Sequence, residues 1–376
     1  MLGLIFDLFG YQTPEVVSGP LAYLWHILFL IVGLLMLVKG ADWFVSGASS
    51  VAKKFKISAM VIGLTVVSFG TSAPELAVSL TSSIQGDPAI ALGNVVGSNI
   101  MNILVVLGLS AVISPIVVKK SLIKREFPFL FAATALLIIF TMDNLFAGYT
   151  GIENLLSRGE SLIFVFGIIA FCYISIVMAK KDAQLEVAQL GSIDVTVKKT
   201  EEEEIKELPV GKTILFLLIG LLCIVFGADF VTTPAKTIAT SLGTEAGLNI
   251  DMVVEVVGLT VVAVGTSLPE LVTSVIASKK GENEIAIGNV VGSNIFNILF
   301  ICGLCGLVLP LSMEPSIITD MVISLFITLI VFLYCKKLEL TKKNGWILTT
   351  LYFVYLAYIL VRLFLDKEGI SISIPF

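Results

Sequence analysis

Residues 61–108, VIGLTVVSFGTSAPELAVSLTSSIQGDPAIALGNVVGSNIMNILVVLG, return as residues 256–303, VVGLTVVAVGTSLPELVTSVIASKKGENEIAIGNVVGSNIFNILFICG, at a constant offset of 195. Without a gap, 29 of the 48 positions are identical, which is more than apolar bias alone produces, so the chain is written twice. Upstream, GADWFVSGA from Gly40 is echoed by GADFVTTPA from Gly227, at an offset of 187. The repeat therefore takes in a preceding helix as well.

Composition says what is being repeated. The 376 residues are 57% hydrophobic and 14% charged, with a mean hydropathy of +1.01; soluble domains run at about 25% charged. Apolar runs such as 21–38, 162–178 and 346–363 match the roughly 20 residues that a spanning helix needs. This is an integral, multi-pass membrane protein, and the lack of period-two alternation excludes a porin-like barrel. The first twenty residues hold Asp7 and Glu15 but no lysine or arginine, so they lack the basic region of a cleavable signal, and the first helix is expected to act as an uncleaved one. Five cysteines (172, 223, 302, 305 and 335) lie in or beside apolar segments and read as small packing side chains. Cys302 and Cys305 form a C-x-x-C, but without the βαβ context of a redox motif.

Each half reads as five helices. The first five are expected at 19–39, 41–84 with a break at Pro74, 88–116, 125–142 and 160–180. The second five are expected at 212–227, 229–280 with a break at Pro269, 284–310, 317–335 and 345–364. An odd number per half turns the second copy over, which is the inverted-repeat plan of many secondary transporters, with the site near the midplane where the repeats meet. The expected organisation is thus 1–180, a charged loop at 181–211 that contains KKTEEEE at 198–204, and 212–376. Loop charge supports it. Lys39, Lys53, Lys54, Lys56, Lys119, Lys120, Lys124, Arg125, Lys180, Lys181, Lys279, Lys280, Lys336, Lys337, Lys342 and Lys343 fall on one face, against Arg158, Lys236, Arg362 and Lys367 on the other. The positive-inside rule makes the first face cytoplasmic and places both termini outside.

A carboxylate near the bilayer centre costs at least about 2.5–3.5 kcal/mol, yet Glu75 and Glu270 recur at equivalent positions. Their neighbours are oxygen donors at helical spacing: Ser68, Thr71 and Ser79 in one copy, Thr266 and Ser274 in the other, with Ala263 standing where the first copy has Ser68. Ser98 with Asn102, and Ser293 with Asn297, form i, i+4 pairs on the following helices. Pro74 and Pro269 lack an N–H and disturb the carbonyls one turn earlier. Irregular backbone at this depth is tolerated only inside protein or beside a cavity. Such an all-oxygen cage suits hard cations, Ca²⁺ and Na⁺, and not Zn²⁺ or Cu⁺, which want His or Cys; the one histidine, His26, reads as a packed or interfacial side chain. The glycines of GNVVG (Gly93, Gly97, Gly288, Gly292) read mainly as close helix packing. Asn94, Asn99, Asn289 and Asn294 stand between ion contact and hydrogen bonding between helices. Asp251 and Glu255 read either as a cation-attracting outer mouth or as a helix cap.

At GTSAPE and GTSLPE, each followed by GNVVGSNI(M/F)N, the sequence resembles the cation/calcium exchanger superfamily, and within it the prokaryotic sodium/calcium exchangers, over nearly the whole chain. The resemblance implies ten helices and Na⁺/Ca²⁺ antiport by alternating access, electrogenic and directed to Ca²⁺ extrusion, in a prokaryotic plasma (inner) membrane. It implies no cofactor, no enzymatic activity and no nucleic-acid partner; the partners are the two ions and the bilayer. It places cation ligands at Glu75 and Glu270, Thr71 and Thr266, Ser72 and Ser267, Ser98 and Ser293, Asn102 and Asn297, with backbone oxygens at Ser68 and Ala263. Many members carry Asp where this chain has Asn297, so the pocket here holds two carboxylates instead of three. Two ionised Glu are neutralised by one Ca²⁺, whereas the family's three Na⁺ would leave the pocket at +1. The helices at 19–39 and 212–227, nearly free of polar groups, are expected to slide against the core that bears both motifs. The competing readings are a cation/proton exchanger of the same fold, with protons carried by Glu75 and Glu270, and a passive cation channel. Against a catalytic role, no G-x-S-x-G or H-E-x-x-H occurs.

Overall fold

A computed structural model describes residues 20–55, 57–86, 88–143, 154–190, 208–245, 263–312 and 315–367. Among the described residues the regular structure is helical apart from four two-residue strands. The ten segments are α1 (Pro20–Phe55), α2 (arms Ala59–Thr71 and Ala73–Ile84), α3 (88–113), α4 (122–140), α5 (Arg158–Leu190), α6 (Val210–Glu245), α7 (arms Ala263–Thr266 and Leu268–Lys279), α8 (283–308), α9 (Pro315–Cys335) and α10 (Lys342–Lys367). The strands are β1 (Ile116–Val117), β2 (Leu155–Leu156), β3 (Leu311–Ser312) and β4 (Glu339–Leu340), and they pair antiparallel, β1 with β4 and β2 with β3. Each pair joins one half of the sequence to the other, so the halves interlock.

Three expected boundaries move. The first helix does not end at 39, because α1 continues through Gly40 to Phe55, and Lys39 lies within it instead of in a loop. Likewise α6 runs past 228 to Glu245. The reason is that these glycines serve packing and are not breaks. A Cβ on Gly40 would stand 2.9 Å from the Gly220 carbonyl, and one on Gly227 would stand 2.9 Å from the Leu37 amide, so α1 and α6 lie backbone against backbone as an antiparallel pair. Ser50 and Thr213 hydrogen-bond across the same seam at 3.0 Å. The third shift is in α5, which extends to Leu190, so the first ten residues of the expected 181–211 loop are helical; 191–207 lie outside the described residues.

Turn chemistry follows the repeat. Gly86 and Gly281, equivalent at the offset of 195, end the second arms of α2 and α7 at φ +86° and +76°, a region that only glycine enters without strain. Within the bundle, 72% of the apolar stretch of α3 and 83% of that of α8 is buried, against 28% for α1 and 22% for α6. The motif helices are therefore central, and the α1–α6 pair lies at the periphery. One hydrophobic cluster fills the centre. A second, around Leu37, Phe44, Val45, Ile62, Val67, Ile224 and Ala277, joins α1 and α6 to that core.

Candidate functional site

The site begins where α2 and α7 break. Ser72 (φ −82°, ψ 10°) and Ser267 (φ −88°, ψ 6°) leave helical geometry, and Pro74 and Pro269 fall in the first turn of the arms that follow. The break therefore lies at the serines, and the prolines start new helices, where a missing N–H has no consequence, instead of disturbing carbonyls inside a continuous one. The two arms of α2 meet at 48°. The restart puts Glu75 and Glu270 in a first helical turn, where free amide N–H groups favour negative charge. The glycines of α8 bring these pieces together. A Cβ on Gly288 would meet the Met60 carbonyl at 2.8 Å, and one on Gly292 would meet the Leu64 backbone at 2.7 Å, so α8 lies directly on the first arm of α2. A Cβ on Gly93 or Gly97 would meet nothing within 4 Å among the described residues. Residues 246–262, which include Asp251 and Glu255, lie outside them.

Glu75 and Glu270 are both 0% exposed, and each is held by the opposite repeat. Ser72 donates to Glu270 Oε1 at 2.8 Å, and Ser267 donates to Glu75 Oε1 at 3.3 Å. Ser293 adds a second donor to Glu270 Oε1 at 3.3 Å, and its counterpart Ser98 is likewise buried, 2% exposed. Thr71 donates to Asn289 Oδ1 at 3.0 Å and Thr266 to Asn94 Oδ1 at 3.4 Å, which turns their hydrogens outward and leaves oxygen lone pairs for the site. Asn94 in turn donates to Ser79 (2.9 Å) and the Glu75 carbonyl (3.2 Å), and Asn289 to Ser274 (3.0 Å) and the Glu270 carbonyl (3.5 Å). These two asparagines therefore tie helices together and aim the threonines. For Asn94 and Asn289 the structure shows the hydrogen bonding between helices, one of the two alternatives left open by the sequence.

Asn102 and Asn297 open equivalent π-helical turns, Asn102–Val106 and Asn297–Ile301. Such turns concentrate at functional sites, and nothing in residue type or spacing announces them. Among the described residues, the buried side-chain oxygens without a hydrogen-bond partner include Glu75 Oε2, Glu270 Oε2, Asn102 Oδ1 and Asn297 Oδ1, two pairs related by the repeat. Burying an ion costs several kcal/mol even after relaxation, while a hydrogen bond to a charged group contributes about 1.5–3 kcal/mol. The hydroxyl bonds engage only Oε1 of each carboxylate. The arrangement is short of positive charge, and it presents oxygen alone. Of the expected backbone ligands, the Ser68 carbonyl already accepts from the Ser72 amide (3.0 Å) and the Thr71 hydroxyl (3.4 Å), and Ala263 is the first described residue of its segment.

Known proteins share this plan. The sequence model of the sodium/calcium exchanger protein family matches residues 25–177 and 212–361. The sodium/calcium exchanger MaX1 of Methanosarcina acetivorans is 34% identical over 353 residues, covering 88% of this chain and 97% of its own length. The putative antiporter CaxA of Alkalimonas amylolytica is 38% identical over 283 residues, covering 75% of this chain and 81% of its own. The solved structure of the sodium-calcium exchanger NCX_Mj, soaked with 2.5 mM Na⁺ and 0.1 mM Ca²⁺, superposes with a TM-score of 0.71 at 29% identity, covering 88% of this chain and 97% of that one. The chain belongs to the sodium/calcium exchanger family and is a multi-pass membrane cation/Ca²⁺ antiporter, a secondary transporter and not an enzyme.

Proposed function

We propose that the chain exchanges Na⁺ for Ca²⁺, using Glu75, Glu270, Asn102 and Asn297 as the central ligands and the hydroxyls of Thr71, Ser72, Ser98, Thr266, Ser267 and Ser293 around them. The observation that carries the reading is the set of four buried, unpartnered oxygens drawn equally from the two repeats. Ca²⁺ takes six to eight oxygen ligands in flexible geometry. One Ca²⁺ neutralises the two carboxylates, and several Na⁺ compete for the same atoms, which makes occupancy mutually exclusive.

In this reading the halves 1–180 and 212–376 each supply one carboxylate and one amide, and 181–211 connects them on the lysine-rich side. That side faces the cytoplasm of a prokaryotic plasma membrane, with both termini outside, and the inward Na⁺ gradient extrudes Ca²⁺. The test is ⁴⁵Ca²⁺ flux in proteoliposomes. Na⁺-loaded vesicles are expected to take up Ca²⁺, choline-loaded vesicles are not, and Glu75→Gln and Glu270→Gln should each abolish uptake. Uptake driven by a pH gradient alone would replace Na⁺ coupling with H⁺ coupling. Full activity in both Gln variants would overturn the site.

A further inference from the structure

The sequence leaves Asn99 and Asn294 between ion contact and hydrogen bonding between helices, and the structure places both at the pseudo-twofold axis, 3% and 1% exposed. Asn294 Oδ1 accepts from Asn102 Nδ2 at 3.1 Å, and Asn99 Oδ1 accepts from Asn297 Nδ2 at 3.0 Å. The amide nitrogens of the axial pair are fixed in their turn, since Asn294 Nδ2 donates to the Asn99 carbonyl at 3.1 Å and Asn99 Nδ2 donates to the Asn294 carbonyl at 3.4 Å. A side-chain amide has two nearly isosteric orientations, and only the hydrogen-bond network chooses between them. Here the chain of choices ends on two backbone carbonyls, which cannot flip. Rotating Asn102 or Asn297 would set oxygen against oxygen at Asn294 Oδ1 or Asn99 Oδ1 and put an NH₂ group where a buried, unpartnered amide oxygen now stands.

We propose that Asn99 and Asn294 are positioning residues: they lock the carboxamides of Asn102 and Asn297 so that the oxygens, and not the NH₂ groups, face the transported cation. This rests on the cation-site reading above. Each axial residue is linked to the ligand of the opposite repeat, so the lock also couples the two halves of the site. It carries a consequence for the residue at 297. A carboxylate presents oxygen at both ends and needs no orientation, so the requirement for Asn99 belongs to an amide there and disappears with an acid.

The test is Ca²⁺ titration of the purified full-length protein, with and without competing Na⁺, for Asn99→Ala in the wild-type and in the Asn297→Asp background. Loss of a residue that orients a metal ligand costs roughly 10-fold to 100-fold in affinity, and that loss is expected for Asn99→Ala alone. In the Asn297→Asp background the same change should cost at least about 5-fold less, because coupled positions depart from additivity by that much. Equal losses in both backgrounds, within the roughly two-fold limit of additivity, would overturn the proposal and leave Asn99 a packing residue. The mirror experiment, Asn294→Ala with and without Asn102→Asp, decides the matter if Asn99→Ala does not give a monodisperse protein. Glu75→Gln and Glu270→Gln run alongside: retained affinity in them overturns the cation site itself, whereas their loss with an unaffected Asn99→Ala overturns only the lock.

Discussion

At the scale of single residues, serine hydroxyls divide unequally between the two carboxylates. Glu270 Oε1 receives Ser72 at 2.8 Å and Ser293 at 3.3 Å, while Glu75 Oε1 receives Ser267 at 3.3 Å. A bond to a charged acceptor is worth about 1.5–3 kcal/mol and weakens with length. Ser72→Ala is therefore expected to lower Ca²⁺ affinity by on the order of 10-fold, and Ser267→Ala by less, as read by ⁴⁵Ca²⁺ binding. Equal effects would mean that loading the site evens out the two bonds. The carboxylates and hydroxyls of this set were legible in the sequence because a duplicated acid in an apolar context has few other uses. The division of labour among the asparagines was not. Asn94, Asn99, Asn102 and their counterparts are chemically the same, and only their placement separates the pair that braces the threonines from the proposed lock and the proposed ligand.

At the scale of elements, two ion pairs show how burial sets magnitude. Lys280 Nζ lies 2.8 Å from Asp42 Oδ1 and also donates to the Asp42 carbonyl and Ser46, tying α1 to the turn between α7 and α8, but its side chain and that of Asp42 are 29% and 45% exposed. Arg362 Nη1 lies 3.1 Å and 3.0 Å from the two oxygens of Asp320, joining α10 to α9 with side chains 13% and 11% exposed. Lys280→Ala is expected to cost under about 1 kcal/mol of stability. Arg362→Ala should cost about 3–5 kcal/mol, since it leaves a buried carboxylate uncompensated. Thermal unfolding in detergent checks both, and a larger effect at Lys280 would reverse the argument. The glycines at 40 and 227 illustrate the limit of local reading. In sequence each looks like a place for a helix to stop, but each is a place where two helices touch.

At the scale of the molecule, the α1–α6 pair is buried along only a small part of its surface and meets the core through its own hydrophobic cluster, whereas α2, α3, α7 and α8 hold the candidate site in the centre. That division suits movement of the pair past a fixed site. A covalent cross-link between α1 and the first arm of α2 is expected to stop ⁴⁵Ca²⁺ exchange in liposomes while leaving Ca²⁺ binding in place; undiminished flux would sink the idea. Charge gives a second prediction. With two carboxylates, three Na⁺ leaving against one Ca²⁺ entering carries one net positive charge outward, and each charge is worth about 2.3 kcal/mol per 100 mV. Ca²⁺ uptake into Na⁺-loaded vesicles should speed up when valinomycin and K⁺ make the interior positive, and slow when it is negative. An unchanged rate would mean an electroneutral cycle, with Asn297 as the first position to change to Asp.

The sequence by itself determined that this is a membrane protein of duplicated, inverted helices with a paired acidic motif, because hydropathy, an odd helix count and a 195-residue offset are properties of the string. It also determined the chemistry of the candidate ligands, since residue type sets donor type. Only the tertiary structure decided that serines reach across to the other repeat's glutamate, that Asn99 and Asn294 meet at the axis, and that α1 and α6 pass through their glycines unbroken. These are contacts between positions on the order of two hundred residues apart. Neither propensity nor periodicity carries information over that distance, because it is set by which apolar faces and close backbone approaches the whole bundle can satisfy at once.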